Sequence, residues 1–85
     1  MSEKRVAQVT HYFTRLSVAV LTLTDTLSVG DRIHIEGHST NLEQTVDSMQ
    51  IEHKPVLEVG PGDDVALKVI EPVRQGDIIY RMIAD

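Results

Sequence analysis

Four histidines are the residues of this sequence best suited to metal binding or proton transfer. Their spacing, however, predicts neither a metal site nor a catalytic site. His34 and His38 are four residues apart, yet one falls in a strand-like segment and the other beyond a turn. The helical geometry that brings two such ligands together therefore does not apply. His11 and His53 are distant in sequence. We interpret all four as solvent-facing histidines, and we predict no metal site unless folding brings two of them to a carboxylate.

The carboxylates and serines likewise predict no catalytic site. Asp63 and Asp64 are adjacent, so on a strand they point to opposite faces and cannot act as a shared acid and base. We expect Asp63 to cap a turn and Asp64 to be exposed. No serine lies in a Gly-x-Ser-x-Gly motif, and the chain has no cysteine, which excludes disulfides and cysteine catalysis. We predict that the protein is not an enzyme and uses no cofactor.

Residues 48–55 (SMQIEHKP) interleave apolar side chains with varied hydrogen-bonding groups. Gln50 offers donors and an acceptor, whereas His53 and Lys54 offer switchable or fixed positive charge. The segment is either the plain solvent face of a strand or a strip that faces a ligand. On the second interpretation, Gln50, Glu52, His53 and Lys54 are candidate contacts with RNA or with a partner protein.

The composition limits what these residues could bind. The chain has 85 residues, with 41% hydrophobic and 25% charged residues, as is ordinary for one globular domain. Its formal net charge of −5 argues against nonspecific binding to nucleic acid or anionic lipid. Two tyrosines and one phenylalanine are too few for a platform that stacks several bases. We expect a single domain over residues 1–85, disordered over 1–4.

No segment predicts export or membrane insertion. The longest apolar-rich stretch, residues 16–23, is much shorter than the roughly 20 residues that a transmembrane helix needs. The polar first residues are not followed by the apolar core of a signal peptide. We therefore predict a cytoplasmic protein without membrane contact.

The elements that must position the candidate residues are strands, because β-branched residues are abundant and apolar positions recur with period two. The predicted strand over residues 42–53 contains a change of phase in its alternation of apolar and polar residues. A bulge near residues 47–48 would restore the alternation by turning Val46, Met49 and Ile51 inward. Lys54-Pro55 should end that strand, since proline cannot donate to a ladder. The pattern predicts strands over residues 5–13, 16–24, 31–36, 42–53, 64–70 and 77–83.

The same dipeptide precedes three of the apolar runs, at Gly30-Asp31, Gly62-Asp63 and Gly76-Asp77. Glycine adopts the positive φ that many turns require, and aspartate accepts hydrogen bonds from nearby amides. We interpret these dipeptides as turns and not as phosphate-binding loops, because no helical pattern follows them. Six short strands joined by such turns predict an all-β fold, a small six-stranded Greek-key β-barrel, since closure removes exposed edges.

Glycine turns and alternating apolar residues recur in four strings, residues 27–35 (LSVGDRIHI), 46–55, 59–67 (VGPGDDVAL) and 76–79 (GDII). These strings resemble the second domain of translational GTPases such as elongation factor Tu and initiation factor 2, over residues 16–83. More closely, the chain resembles small stand-alone translation elongation factor-like proteins and the barrel appended to some collagenase-like peptidase-family proteins, which include enzymes that modify RNA. The resemblance implies a barrel of the translation-protein type. The closer resemblance rests on residues 9–13 (VTHYF), 23–27 (LTDTL), 31–38 (DRIHIEGH) and 44–55.

The resemblance to elongation factor Tu implies a contact with the aminoacylated 3′ end of tRNA. Gln50 stands where that family has a glutamate beside the terminal adenosine, and Glu52 stands where some members have histidine. Asp64 replaces the family's asparagine near the aminoacyl group, so all three positions depart from the pattern. The GTPase half is missing, because no Gly-x-x-x-x-Gly-Lys-Ser/Thr motif occurs, and we expect no GTP binding.

Two functions remain open at this point. The first is a non-catalytic binding module that contacts tRNA, rRNA or the ribosome through Gln50 to Lys54, with Asp64 nearby. The alternative is an accessory subunit that docks onto a separate peptidase-like or RNA-modifying enzyme. Basic residues clustered around Lys54 would favour RNA, whereas a contiguous apolar patch would favour a protein partner.

Overall fold

Ten β-strands make up the fold of residues 2–83, the part of the chain that the computed structural model describes. The predicted all-β class is confirmed. None of the described residues belongs to a helix that could cross a membrane. The strands are β1 (Ser2–Phe13), β2 (Val18–Leu23), β3 (Leu27–Ser28), β4 (Arg32–Glu36), β5 (Asn41–Thr45), β6 (Met49–Ile51), β7 (Lys54–Val56), β8 (Glu58–Val59), β9 (Asp64–Lys68) and β10 (Ile78–Ile83).

The main sheet closes on itself through one bent segment of chain. Eight strands pair in the order β5-β4-β10-β1-β2-β9-β6-β7, and β3 pairs with β8. β5 and β6 are successive parts of residues 41–51, and they pair antiparallel with β4 and with β9 respectively. These two strands are separated by the rest of the sheet, so the bent segment joins its two sides. The sheet is therefore closed into a barrel, as the sequence predicts.

Gln44 closes the seam of the barrel at the point where β5 ends. The ladder is interrupted over residues 46–48, and the buried Gln44 side chain bridges to the end of β9. Its Nε2 donates to the Lys68 carbonyl at 3.0 Å, and its Oε1 accepts from the Ile70 amide at 3.0 Å. A side-chain amide therefore satisfies backbone groups that the bent strand leaves without a ladder partner.

The interruption agrees with the predicted change of phase. Val46 and Met49 are both buried, and Ile51 is half-buried against the core. Ile33 and Ile35 of β4 and Val65 and Leu67 of β9 are also fully buried, as the alternation of apolar residues in these strands requires. Aliphatic side chains from every long strand thus fill the barrel, as closure of an alternating sheet requires.

Lys54 and Pro55 do not end a strand, contrary to the prediction. With Val56 they form β7, which turns back on β6 and pairs Ile51 with Lys54 and Gln50 with Pro55. A two-residue loop makes the first pair hydrogen-bonded and the second non-hydrogen-bonded. The missing N–H of Pro55 therefore removes no ladder bond, and β7 is the last strand of the sheet, where proline is tolerated.

Residues 2–4, for which the sequence predicts disorder, instead form the first part of β1. Ser2, Glu3 and Lys4 pair with residues 83, 82 and 81 of β10. These polar side chains are exposed, so the strand lacks the alternation of apolar residues from which strands are predicted. Met1, also predicted to be disordered, lies outside the described residues.

The three Gly-Asp turns share one geometry, as predicted. The glycines have φ of 99°, 92° and 95°, which is the positive value that the third residue of a type II turn requires. In each turn the aspartate Oδ2 accepts a hydrogen bond from the amide three residues earlier, and the aspartate amide donates back to the same residue's carbonyl. The carboxylate bonds are Ser28 N to Asp31 (2.8 Å), Gly60 N to Asp63 (2.9 Å) and Arg74 N to Asp77 (2.8 Å).

Candidate functional site

A cleft of about 520 Å³ lies on the outer surface of the barrel, over β2, β9 and β6. Its floor is the outward face of these strands, where the register places Val20, Ala66 and Gln50 in one row across the sheet. The next row contains Val18 and Lys68. This arrangement follows from period-two alternation, because the neighbours of these residues point into the core.

The cleft has an apolar end and an acidic end. Val18 pairs with both Phe13 and Lys68, so the β1–β2 turn and its side chains Phe13 and Leu16 lie at the Lys68 end. Asp64 lies four residues away along β9, about 13 Å in an extended chain. β6 runs antiparallel to β9, so the Glu52 that follows it reaches the Asp64 end.

Two large apolar side chains are exposed at the first end. Phe13 is 44% exposed and Leu16 is 61% exposed. The Lys68 ammonium donates to the Leu16 carbonyl at 3.0 Å, which ties the turn to β9. The Phe13 ring contacts the edge of the His11 ring, with centroids 4.6 Å apart. Exposed apolar groups that border an apolar cleft are typical of a surface that a partner covers.

The β6–β7 tip at the other end has a left-handed backbone without glycine. Glu52 and His53 form the two-residue loop, with φ of 51° and 66°. Two positive φ values define the type I′ hairpin turn, for which Asn-Gly is the favoured sequence. A non-glycine residue in this conformation costs about 1 kcal/mol or more. Both side chains line the cleft, so the strained residues are those that face the candidate site, where such strain tends to cluster.

The carboxylates of the cleft are not neutralised within residues 2–83. The side chains of Glu52 and Asp64 make no hydrogen bond or ion pair with described residues, and both are exposed. Lys68, the one lysine or arginine among the lining side chains of the described chain, is engaged by the Leu16 carbonyl. The acidic end therefore carries a negative potential that favours a cationic group over a phosphate.

Four of the five residues that the sequence nominates lie together in this cleft, namely Gln50, Glu52, His53 and Asp64. Lys54 is exposed on β7 and does not line it. Binding by any of them stays a prediction. Phe13, Leu16 and Lys68 are lining residues that sequence reasoning missed, although two large apolar residues on either side of a tight turn, in Phe-Thr-Arg-Leu, were a usable signal of exposure.

His34 differs from the predicted solvent-facing histidines. Its side chain is only 14% exposed, with Nδ1 2.9 Å from Glu3 Oε2 and Nε2 2.7 Å from Asn41 Oδ1. The contact with Asn41, and then those with Glu3 and Glu36, raise the pKa of His34 above its ordinary value despite partial burial. Across residues 2–83 the structure forms no cluster of three or more histidine or acidic side chains that could hold a metal ion.

Comparisons with known proteins found a similar sequence and two similar structures. No family model matches the sequence. A protein described as an uncharacterized protease of Methanocaldococcus jannaschii is 38% identical over 76 residues, which cover 88% of this chain and 19% of that protein. The chain thus spans about a fifth of the length of this curated relative.

Two crystal structures of the C-terminal domain of a Geobacillus thermoleovorans protein, described as a U32 peptidase, share the fold. The selenomethionine variant has a TM-score of 0.84 at 18% identity, covering 89% of this chain and 96% of that domain. The second structure has a TM-score of 0.87 at 17% identity, covering 94% and 93%. This chain is similar to the C-terminal domain of a U32 peptidase. Of the resemblances noted in the sequence, these findings support the barrel appended to peptidase-family proteins and not the translation factors.

Proposed function

We propose that the protein is a non-catalytic accessory barrel of a peptidase-like enzyme and that its cleft binds a protein segment. The observation that carries this proposal is the exposure of Phe13 and Leu16 beside an apolar floor. Burying such surface against a partner drives most protein association. The similarity to a U32 peptidase domain and to an uncharacterized protease supports a partner of that kind.

The charges of the site favour protein over RNA. Phosphate contacts supply most of the affinity of RNA-binding surfaces and come from clustered lysines and arginines. Here Lys54 does not line the cleft, and Glu52 and Asp64 would repel a phosphate placed at its acidic end. The formal net charge of −5 acts in the same direction.

One observation keeps RNA as a second candidate. Gln50, Glu52 and Asp64 are the positions to which the resemblance to elongation factor Tu assigns contacts with a tRNA 3′ end, and all three line this cleft. The exposed Phe13 ring offers a face on which one base could stack. On this alternative, the cleft holds the unpaired end of a tRNA or an rRNA in the cytoplasm.

Photocrosslinking in native cells separates the two candidates. Benzoylphenylalanine placed at Leu16 samples the apolar end of the cleft, and the same residue at Leu57 is the matched control, because Leu57 is 78% exposed and lies outside the cleft. We expect a product from position 16 alone, insensitive to nuclease and containing tryptic peptides of a peptidase-like protein. A nuclease-sensitive product would establish the RNA alternative, and equal products from both positions would refute the cleft as the site.

A further inference from the structure

The acidic end of the cleft indicates the chemistry of the segment that binds there, and this inference rests on the proposed function. Glu52 and Asp64 have side chains that no described residue pairs with. Their strand and hairpin positions bring them to the same end, opposite Phe13 and Leu16. A partner that covers the apolar end without offering a cation would leave both carboxylates partly desolvated and unpaired, which is unfavourable.

The spacing of the two ends limits the segment further. Asp64 and Lys68 mark the ends of the cleft along β9 and are about 13 Å apart, the length of about four residues of extended chain. The cleft volume of about 520 Å³ is within the range of clefts that enclose a ligand of moderate size. It admits a short extended segment.

We infer that the cleft binds an extended peptide segment in which a bulky apolar residue and a lysine or arginine lie within about four residues of each other. The apolar side chain packs against Phe13, Leu16 and Val18. The cation lies between the carboxylates of Glu52 and Asp64. Lys68 does not compete for them, because its ammonium is held by the Leu16 carbonyl at the opposite end.

The strained hairpin has a clear role in this arrangement. An Asn-Gly tip would form the same turn with less strain but would remove the Glu52 carboxylate from the cleft. Retaining a glutamate with φ of 51° keeps one of the two acidic groups at this end of the cleft. A cation then meets two carboxylates, which favours specificity more than affinity.

Selection from a phage-displayed library of random dodecapeptides on the immobilised protein tests this inference. We expect the recovered peptides to share a bulky apolar residue with a lysine or arginine within about four positions. Recovered peptides that are acidic, that lack the basic residue or that share no pattern would overturn the inference. Leu16→Ser should abolish the selection, because it removes the apolar end of the site.

The most enriched peptide is then titrated by fluorescence anisotropy against charge variants. The double variant Glu52→Gln/Asp64→Asn keeps the shapes of both side chains, and we expect it to weaken binding about threefold to tenfold at low ionic strength. The matched control is Glu43→Gln/Glu71→Gln, two exposed carboxylates outside the cleft, which should leave the affinity unchanged. Equal affinities for both double variants would contradict the inference.

The two experiments fail in distinguishable ways. A protein crosslinked at position 16, together with selected peptides that lack a cation, would overturn the acidic-end inference and leave the proposed function intact. An RNA crosslinked at position 16 would overturn both. The crosslink at Leu16 identifies the class of the bound partner, whereas the peptide selection identifies the charge that the bound segment carries.

Discussion

The Gly-Asp turns and the Glu52–His53 tip both reverse the chain with positive φ, but they use opposite residue choices. Each Gly-Asp turn places glycine at the positive φ and satisfies an amide with its aspartate. The tip places glutamate and histidine there, and neither side chain bonds within residues 2–83. The Gly-Asp turns therefore serve the fold, whereas the tip carries a conformational cost that no contact within residues 2–83 explains. Under the proposed function, its side chains are retained for contacts with the bound segment.

The largest expected effect comes from removing the best-buried turn carboxylate. Asp77 is 4% exposed, and its Oδ2 accepts the Arg74 amide at 2.8 Å. Asp77→Ala leaves that amide without its partner, so we expect a loss of about 2–3 kcal/mol in the free energy of unfolding. Urea denaturation measures it, with Glu71→Ala as an exposed control within about 0.5 kcal/mol of the parent. Similar values for both variants would remove the basis for calling the turn structural.

Gly76→Ala tests how much the positive φ of the same turn requires glycine. The glycine has φ of 95°, and an added Cβ would meet no atom within 4 Å, so strain in the backbone is the main effect. We expect the free energy of unfolding to fall by about 1–2 kcal/mol. Thermal and urea denaturation should agree on this value. An unchanged stability would show that the positive φ is not required.

The double variant Glu52→Asn/His53→Gly tests whether the backbone of the Glu52–His53 tip is strained. It installs the favoured sequence for a type I′ turn, so we expect the barrel to gain about 1 kcal/mol in its free energy of unfolding. The glycine's extra freedom in the unfolded chain offsets part of the relieved strain. Urea denaturation beside the parent protein gives the result, and a loss of stability would refute strain at the tip.

The His34 cluster should behave like the Gly-Asp turns, affecting stability and not binding. Its raised pKa means that the protonated ring is favoured in the folded state, so the contribution is fully present below the ordinary pKa of 6.5 and is lost as pH rises through the folded value. We expect this contribution to be below about 1 kcal/mol. Urea denaturation at acidic and alkaline pH should show a smaller pH dependence for His34→Gln than for the parent.

The control for that measurement must separate His34 from the acidic groups that face it. Glu3 from β1 and Glu36 on β4 lie near the ring, the exposed Glu43 of β5 pairs opposite it, and Tyr80 of β10 packs beside it. Glu3→Gln should remove part of the pH dependence and leave the rest. Identical profiles for the parent and His34→Gln would show that the histidine does not contribute.

The barrel was largely predictable from local patterns. Alternating apolar residues and three Gly-Asp dipeptides locate the strands, and the change of phase after Val46 locates the bend that closes the sheet. β7 was not predictable, because its hairpin lacks glycine at the left-handed positions and Pro55 is a usual signal for the end of a strand. Gln44 at the seam carries no local signal either, since its partners are 24 and 26 residues away.

The site was predictable only in part. Gln50, Glu52, His53 and Asp64 stand out by residue type and by resemblance, and they do line one cleft. Phe13 and Leu16 belong to the first hairpin, and only the pairing of β2 with β9 and of β9 with β6 brings them to the same surface. The environment of His34 likewise depends on a distant strand, because Glu3 of β1 lies 31 residues away in sequence.

The central claim is that Glu52 and His53 contribute to binding in the cleft. Its most direct test measures the crosslink at Leu16 in a variant with an altered tip. Benzoylphenylalanine at Leu16 is introduced into the Glu52→Asn/His53→Gly variant in native cells, and its product is compared with that of the parent tip. We expect the yield of this product to fall, because the tip no longer offers the Glu52 carboxylate, although the barrel is at least as stable as before. A full yield of the same product would contradict the claim that Glu52 and His53 are retained for binding.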